Sequence, residues 1–474
     1  MRLIRGGRLC LAALAGVGAL ASVAVMATQD VAGATGSGGT LYVSSTGQDT
    51  GTCRASAHPC ATIAYAITQA SPSATIDVGS GTYPQQLVIN KSLSIVGTGG
   101  HVTVDPSTLA ASDTDSDSST PQYAIVDVTS GANVTMSNLV VDGTNAQSQF
   151  TGCGDDFVGV YYHDSSGALK SSTVENVELS PSLFGCQDGL GVYVASDAGD
   201  LSSVKLTGDT VKAYDKNGIT CDDAGTSCTV NTTTVTGVGP TSLIAQNGIQ
   251  GYATGSLKLN GDTVSADSYT TPGYPSYQAT GLLVIDVASL SASSNTLSAN
   301  DINAYLGSDG TGPAPGTWTF SGNTVTGATD NVPGGEAGYG DGVQVDSTTN
   351  PVYLTGNVVK GSAENGIITL GASNVTLQGN TTNQNTGDGI DLGAPASYSV
   401  STTPSSHDTV SGNTSKSNGL DGILAEAGTT ANTITGNTAK SNVRYDLEDL
   451  GSGNTWTSNA CKPAFDSNRP GLCS

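Results

Sequence analysis

The chain has 474 residues, of which 16 are basic and 40 acidic, so its formal charge is −24 at pH 7. Such an acidic chain is a poor partner for nucleic acid or an anionic membrane, and we expect neither. Only 12% of the residues are charged, 5% are aromatic and 63 are Gly, which excludes a disordered polyelectrolyte.

The first 34 residues have the pattern of a secretion signal peptide. Three Arg precede an apolar run at residues 9–26, and the small residues Ala27 and Ala34 fit a cleavage site. The run is also long enough for an uncleaved anchor, but its Gly and Ala content favours cleavage. Cleavage after residue 34 removes three Arg and one Asp, which leaves a formal charge of −26. We therefore expect a secreted, extracellular protein with no membrane partner.

A short amphipathic helix is predicted next. Ile63, Ile67 and Ala70 fall on one face at helical spacing. Short apolar runs at 76–78, 87–89 and 93–96 follow and predict strands.

The rest of the chain repeats two short elements. A Gly-Asn or Gly-Asp element recurs with spacings as short as 23 and 24 residues, and an Asn/Asp-Gly-hydrophobe triplet follows most copies. Alternating apolar and polar residues between them, as in Val343-Gln344-Val345, predict strands, so the repeat is a β coil in a solenoid. The glycines of the first element are Gly208, Gly261, Gly322, Gly356, Gly379, Gly412 and Gly436.

The recurring Asn is interpreted structurally. Amides at equivalent positions of stacked coils can hydrogen-bond one another from coil to coil. This interpretation covers Asn323, Asn357, Asn380, Asn413 and Asn437.

The N-terminal motifs carry a family resemblance. The segment from Ala61-Thr62-Ile63 through Gly81-Thr82-Tyr83 to Leu93-Ser94-Ile95 resembles the opening of right-handed parallel β-helix proteins of the pectin-lyase-like superfold. The resemblance implies an all-β chain, a single-stranded right-handed parallel β-helix with a short N-terminal capping helix. We expect one domain at 35–474, with a cap at 35–75 and a closing segment at 449–474, built from ten to twelve coils.

Eight cysteines remain after the signal, an even number that fits an oxidising compartment. Their spacings of seven residues or more, with almost no His nearby, argue against zinc. Proximity suggests four disulfides, namely Cys53–Cys60, Cys153–Cys186, Cys221–Cys228 and Cys461–Cys473.

Carboxylates carry the candidate chemistry. Acid pairs recur near one-coil spacing, which would place them about 5–7 Å apart, as glycoside hydrolysis requires. Asp at coil corners is also an ordinary turn residue, and oxygen-rich clusters equally suit Ca²⁺, so a Ca²⁺ site stays open. The candidate catalytic residues are Asp155, Asp156, Asp188, Asp222 and Asp223.

Tyrosines and a few other residues are candidates for substrate binding. Exposed Tyr can stack on sugar rings, although Tyr in an inserted loop also serves to pin that loop. The candidates are Tyr161, Tyr162, His163, Lys216, Tyr274 and Tyr277.

The sequence thus predicts a monomeric protein that acts on an extracellular polysaccharide as a hydrolase or lyase. Hydrolysis is favoured because elimination needs a base, and basic residues are scarce here. Asp388 and Asp391 resemble the "DGxD" of polygalacturonases, but the other motifs of that family are missing, so its activity is not implied. The alternatives are a non-catalytic surface or polysaccharide-binding scaffold and a Ca²⁺-stabilised structural protein. If the protein is an enzyme, we expect the chemistry on coils 150–223, with the regular coils 341–437 as scaffold.

Overall fold

Three parallel sheets wind around one apolar core in the computed structural model, which describes residues 38–114, 120–270, 279–310, 316–330, 340–462 and 467–474. The predicted signal peptide lies outside the described residues. Each coil gives one strand to each sheet, and equivalent strands pair in parallel; Ile367, Ile390 and Ile423, for example, stack in register.

We number the sheets in the order in which a coil visits them. Sheet 1 consists of Leu87–Ile89, Pro121–Val128, Asp156–His163, Leu190–Ala195, Asn217–Asp222, Asn247–Tyr252, Thr280–Ile285, Ile302–Gly307, Val343–Asp346, Ile367–Leu370, Ile390–Gly393, Ile423–Ala425 and Leu447–Asp449, with Asp113–Thr114 added antiparallel. Sheet 2 consists of Thr40–Val43, Asn133–Ser137, Ser166–Lys170, Ser202–Thr207, Thr226–Asn231, Ser256–Asn260, Leu290–Ser293, Trp318–Ser321, Val352–Thr355, Val375–Gln378, Thr409–Ser411, Thr433–Thr435 and Thr455–Thr457.

Sheet 3 consists of Val140–Asp142, Thr173–Val177, Thr210–Tyr214, Thr234–Thr241, Thr263–Tyr269, Thr296–Ser298, Thr324–Thr326, Val358–Lys360, Thr381–Asn383, Thr414–Lys416, Thr438–Lys440 and Ala460–Lys462. Two long strands, Ala74–Tyr83 and Leu93–Val104, run from sheet 2 into sheet 3. Thirteen parallel strands in sheet 1 within the described residues slightly exceed the predicted ten to twelve coils.

The α-helix Ile63–Gln69 is present, and Ile63, Ala66 and Ile67 pack into the apolar core. The Thr62 hydroxyl caps it by accepting the N–H of Tyr65 at 3.1 Å. That the helix closes the end of the core stays a prediction. Two 3₁₀ turns, Gln147–Gln149 and Phe184–Cys186, lie in the loops, and no helix among the described residues is long and apolar enough to span a membrane.

The predicted amide ladder is confirmed. Each side chain except the last donates from Nδ2 to Oδ1 of the equivalent Asn on the next coil at 2.9–3.1 Å, and the ladder extends by one member at each end. All members are buried, so these amides satisfy one another where water is excluded. The ladder is Asn295, Asn323, Asn357, Asn380, Asn413, Asn437 and Asn459.

The structure also forms the four disulfides that the sequence predicts. They join Cys53 to Cys60, Cys153 to Cys186, Cys221 to Cys228 and Cys461 to Cys473. Disulfides of this kind persist in oxidising compartments.

Candidate active site

The outer face of sheet 1 is the side away from the core, and Asp156, Asp222 and Asp391 lie on strands of this sheet. Strand residues alternate between the core and this face, and outward residues of successive coils stack in register. Gln344, Ile368 and Asp391 form one such outward row.

Asp156 and Asp188 meet on adjacent coils at the N-terminal edge of sheet 1. Their carboxyls are hydrogen-bonded to each other, and burial together with the charge of Asp156 raises the pKa of Asp188 above its usual range. Protein groups also bind the pair: the N–H groups of Phe157 and Gly189 donate to Asp188 Oδ1 at 2.9 and 3.0 Å, and Gln122 Nε2 donates to Asp156 Oδ2 at 2.6 Å. These hydrogen bonds fix the positions of both carboxyls.

Asp222 and Asp223 lie at the opposite edge. Cys221 pairs with Val194, so the next residue, Asp222, lies beside Ala195. Ala195 in turn pairs with His163, which is seven residues further along its strand than Asp156. Seven strand residues span about 23 Å. The five predicted catalytic carboxylates therefore divide into two separate groups and do not converge in one groove; Asp155 immediately precedes the Asp156 strand.

Asp222 and Asp223 are both held by backbone amides. Asp222 Oδ1 accepts the N–H of Asp223 at 2.8 Å, and Asp223 Oδ2 accepts the N–H of Ser196 at 3.2 Å.

Several predicted substrate-binding side chains are buried. Tyr162 points into the core, where its hydroxyl donates to Val134 O at 3.1 Å, so its predicted contact with an external ligand is wrong. Lys216 is 4% exposed and its Nζ donates to Ala245 O at 2.6 Å; burial lowers its pKa to about 8. Both results correct the expectation of accessible side chains.

Tyr161 does lie on the outer face, but it is only 1% exposed. Its ring stacks between those of His163 and Tyr193, with centroids 5.3 and 5.0 Å away. Tyr274 and Tyr277 lie outside the described residues.

A cavity of about 610 Å³ opens on the outer face of the regular coils, which sequence analysis interprets as scaffold. This volume is in the range of small-molecule sites. Its apolar part comes from Ile368, Leu370 and Leu420. Its polar lining residues are Asp341, Glu364, Asn365, Thr386, Asp388, Asp391, Ser397, Tyr398 and Glu426.

Asp391 is the most unusual group in this cavity. The residue is 4% exposed, and its Oδ1 has no hydrogen-bond partner. Burial, followed by the negative charges of Glu426 and Asp388, raises its pKa well above the usual range. A raised pKa favours the protonated form of a carboxyl, which can act as a proton donor.

Glu426 is a candidate partner for such a proton donor. Asp391 pairs with Leu424, two residues before Glu426, so the Cα atoms of the two acids are about 8 Å apart. Glu426 is half-buried, and its Oε2 accepts the N–H of Ala394 at 2.7 Å. The strand that carries Asp391 also passes close to the Glu426 carboxylate at Gly393. A Cβ atom built on Gly393 would lie 3.5 Å from Glu426 Oε2.

Hydrogen bonds and ion pairs hold the wall next to Asp391. Asp388 Oδ1 accepts the N–H of Asp421 at 2.6 Å, and burial raises the pKa of Asp388 to about 6. Arg444 pairs with Asp421 and Glu448, so its charge is already balanced beside the cavity. Among the described residues that line the cavity, none is Lys or Arg.

Asp388 and Asp391 stand out in the sequence by their resemblance to a known motif but were not predicted to form a site, and Glu426 and Tyr398 were not predicted at all. The recurring triplets at Asp341, Asp388 and Asp421 were a usable signal, because equivalent residues of a solenoid stack in one column.

Comparison with known proteins supports the fold. Residues 280–462 match the family model described as "Right handed beta helix region". With three parallel sheets wound around one core, the chain is a right-handed parallel β-helix protein. No curated protein sequence matches it.

Solved structures with a similar shape include three bacterial proteins. The A-module of a mannuronan C-5 epimerase from Azotobacter vinelandii is 13% identical, with a TM-score of 0.47 over 82% of this chain and 91% of that one. A periplasmic alginate epimerase is 11% identical, with a TM-score of 0.47 over 82% and 77%. A lacto-N-biosidase from Eubacterium ramulus is 12% identical, with a TM-score of 0.39 over 90% and 68%. At these scores the similarities say nothing about the activity of this chain.

Proposed function

We propose that this protein is a secreted glycoside hydrolase that cleaves a neutral extracellular polysaccharide in the cavity on coils 341–426. The observation that carries the proposal is Asp391, a buried residue that lines a cavity of about 610 Å³ and whose Oδ1 has no hydrogen-bond partner. A group that retains its proton in this position is suited to general acid catalysis.

The charge of the cavity supports a neutral substrate. Five carboxyl groups line it: Asp341, Glu364, Asp388, Asp391 and Glu426. A uronate would meet repulsion from them, whereas sugar hydroxyls can donate to carboxylate oxygens and sugar C–H faces can pack on Ile368 and Leu370. The same argument disfavours elimination, which needs a carboxyl group on the substrate.

In the proposed reaction, Asp391 donates its proton to the glycosidic oxygen while the bond from that oxygen to the anomeric carbon breaks. The Glu426 carboxylate faces the developing positive charge, either by attacking the anomeric carbon or by activating a water. Water supplies the hydroxyl that ends on the anomeric carbon, and a proton returns to Asp391.

The predicted catalytic set on coils 150–223 remains a second location for the chemistry. The raised pKa of Asp188 beside Asp156 supports it, but the hydrogen bonds around that pair favour a structural role. A non-catalytic polysaccharide-binding scaffold remains the alternative function.

The test begins with a screen of the purified protein for release of reducing ends from neutral and acidic glycans, with and without Ca²⁺. We expect turnover of a neutral glycan, and a loss of at least about 100-fold in kcat for Asp391→Asn. The loss should be smaller on aryl glycosides with acidic phenol leaving groups, because these need no protonation.

The exposed carboxylate Asp200 supplies the matched control, and Asp200→Asn should keep full turnover. Cleavage only of uronate polymers would overturn the proposal. Binding of a neutral glycan without cleavage would replace the hydrolase with the binding scaffold.

A further inference from the structure

His163 is held between carboxylates at the C-terminal edge of sheet 1, away from the cavity. Its Nδ1 lies 2.5 Å from Asp113 Oδ2, and its Nε2 lies 3.0 Å from Asp197 Oδ1 and 3.9 Å from Asp164 Oδ2. The ring stacks on Tyr161, which fixes its plane. The imidazole is therefore fixed in position and orientation.

One nitrogen and two oxygens in this cluster have the spacing of metal ligands. The ligand atoms of His163, Asp164 and Asp197 all lie within 4.8 Å of one another. Tetrahedral ligands at about 2.1 Å from a metal ion are about 3.4 Å apart, and the two distances from Nε2, 3.0 and 3.9 Å, bracket that value. Asp164 is also oriented, because its Oδ1 accepts the N–H of Asp197 at 2.8 Å.

A buried carboxylate beside the cluster points to the same ligand independently. Asp127 is fully buried, and neither of its oxygens has a hydrogen-bond partner by geometry, although the Ser112 hydroxyl is near enough to lower its pKa. Its charge interacts with those of Asp113 and His163. Three partly exposed carboxylates thus lie against the imidazole and the buried Asp127 lies on the neighbouring strand, so carboxylates outnumber the one imidazole and a bound cation would offset their charge.

We propose that His163 Nε2, Asp164 Oδ2 and Asp197 Oδ1 bind one divalent first-row transition metal ion such as Zn²⁺ or Mn²⁺. The ion takes the place of the proton on Nε2, which is released to solvent. Asp113 then accepts the Nδ1–H bond and orients the ring, as carboxylates behind metal-bound histidines commonly do. Asp127, on the neighbouring strand, offsets the charge of the ion.

The imidazole selects among cations. Ca²⁺ and Mg²⁺ prefer oxygen ligands alone, whereas imidazole with carboxylates suits Zn²⁺ and Mn²⁺. This site differs from the Ca²⁺ site that the sequence left open, and it does not depend on hydrolysis at Asp391.

The test is calorimetric titration of the full purified chain, stripped with EDTA and returned to chelator-free buffer, with Zn²⁺, Mn²⁺ and Ca²⁺. We expect one Zn²⁺ or Mn²⁺ per chain. His163→Asn and Asp197→Asn should each weaken binding at least about 100-fold, and Asp113→Asn about 10- to 100-fold.

Matched controls are Asp200→Asn, in the same turn as Asp197, and His407→Asn, an exposed histidine elsewhere. Both should bind as the wild type does. The Asp197 side chain is 38% exposed, so its variant should fold even if His163→Asn does not. Absence of saturable Zn²⁺ or Mn²⁺ binding, binding unaffected by Asp197→Asn, or binding of Ca²⁺ alone would overturn the proposal.

Discussion

Asp408 offers a stability test whose magnitude follows from the structure. It is 1% exposed and lies at a corner of its coil. The equivalent positions of the next two coils are occupied by Asn432 and Asn454. Its Oδ1 accepts the N–H of Val375 at 2.9 Å, but its Oδ2 has no hydrogen-bond partner. Burial raises its pKa to about 8. Replacement by Asn keeps the acceptor and supplies an N–H₂ group in place of the unpartnered oxygen.

The sign of the effect follows from proton linkage. The pKa of Asp408 is higher in the folded protein than in the unfolded chain, so the folded protein keeps a proton that the unfolded chain releases near pH 4. The contribution of Asp408 to the free energy of unfolding therefore falls as the pH rises from about 4 to 8. At about 1.4 kcal/mol per pH unit, the loss from an unfolded pKa near 3.9 to pH 7 is about 4 kcal/mol. Asn does not titrate, so Asp408→Asn removes this loss.

Urea denaturation of wild type and Asp408→Asn at pH 4, 5.5 and 7 measures the difference. We expect the two proteins to agree within about 0.5 kcal/mol at pH 4, and the variant to be more stable by up to about 4 kcal/mol at pH 7. Asp200→Asn should show no such trend. A difference independent of pH, or a less stable variant at pH 7, would refute the reasoning.

Three further predictions concern the solenoid. Asn413→Ala leaves the buried N–H of Asn380 without its acceptor and should cost about 2–4 kcal/mol in urea denaturation, whereas exposed Asn133→Ala should stay within about 0.5 kcal/mol. Arg444→Gln removes the cation that pairs with buried Asp421 and should cost about 1–3 kcal/mol; an unchanged denaturation midpoint would contradict this. Alkylation without reduction should label none of the eight cysteines after residue 34, and one labelled residue would contradict the four disulfides.

The repeats made the fold predictable. The Gly-Asn elements fix the corners, so the stacking of Asn357, Asn380 and Asn413 follows from their spacing alone. The disulfides followed because each pair is close in sequence or one coil apart. Strand alternation was less reliable where it breaks: Val158 and Tyr161 face outward while Val160 and Tyr162 face the core, because Gly159 and Val160 both turn inward.

The cavity was harder to predict because part of it lies outside the repeat. Ser397 and Tyr398 belong to an inserted loop, and the path of such a loop does not follow from the repeat. Asp391 was visible as part of a motif, but its burial and its unpartnered oxygen depend on what packs around it. The acid-rich coils 150–223 drew attention because acids are dense there, yet their side chains are largely held by backbone amides.

The most direct measurement is a side-by-side comparison of kcat for Asp391→Asn and Asp188→Asn on a neutral glycan that the wild type cleaves. Both substitutions remove a buried carboxyl with a raised pKa and keep the shape of the side chain. The proposed function predicts a loss of at least about 100-fold for Asp391→Asn and near wild-type kcat for Asp188→Asn. Full activity in Asp391→Asn with loss in Asp188→Asn would contradict it and move the site to the N-terminal coils.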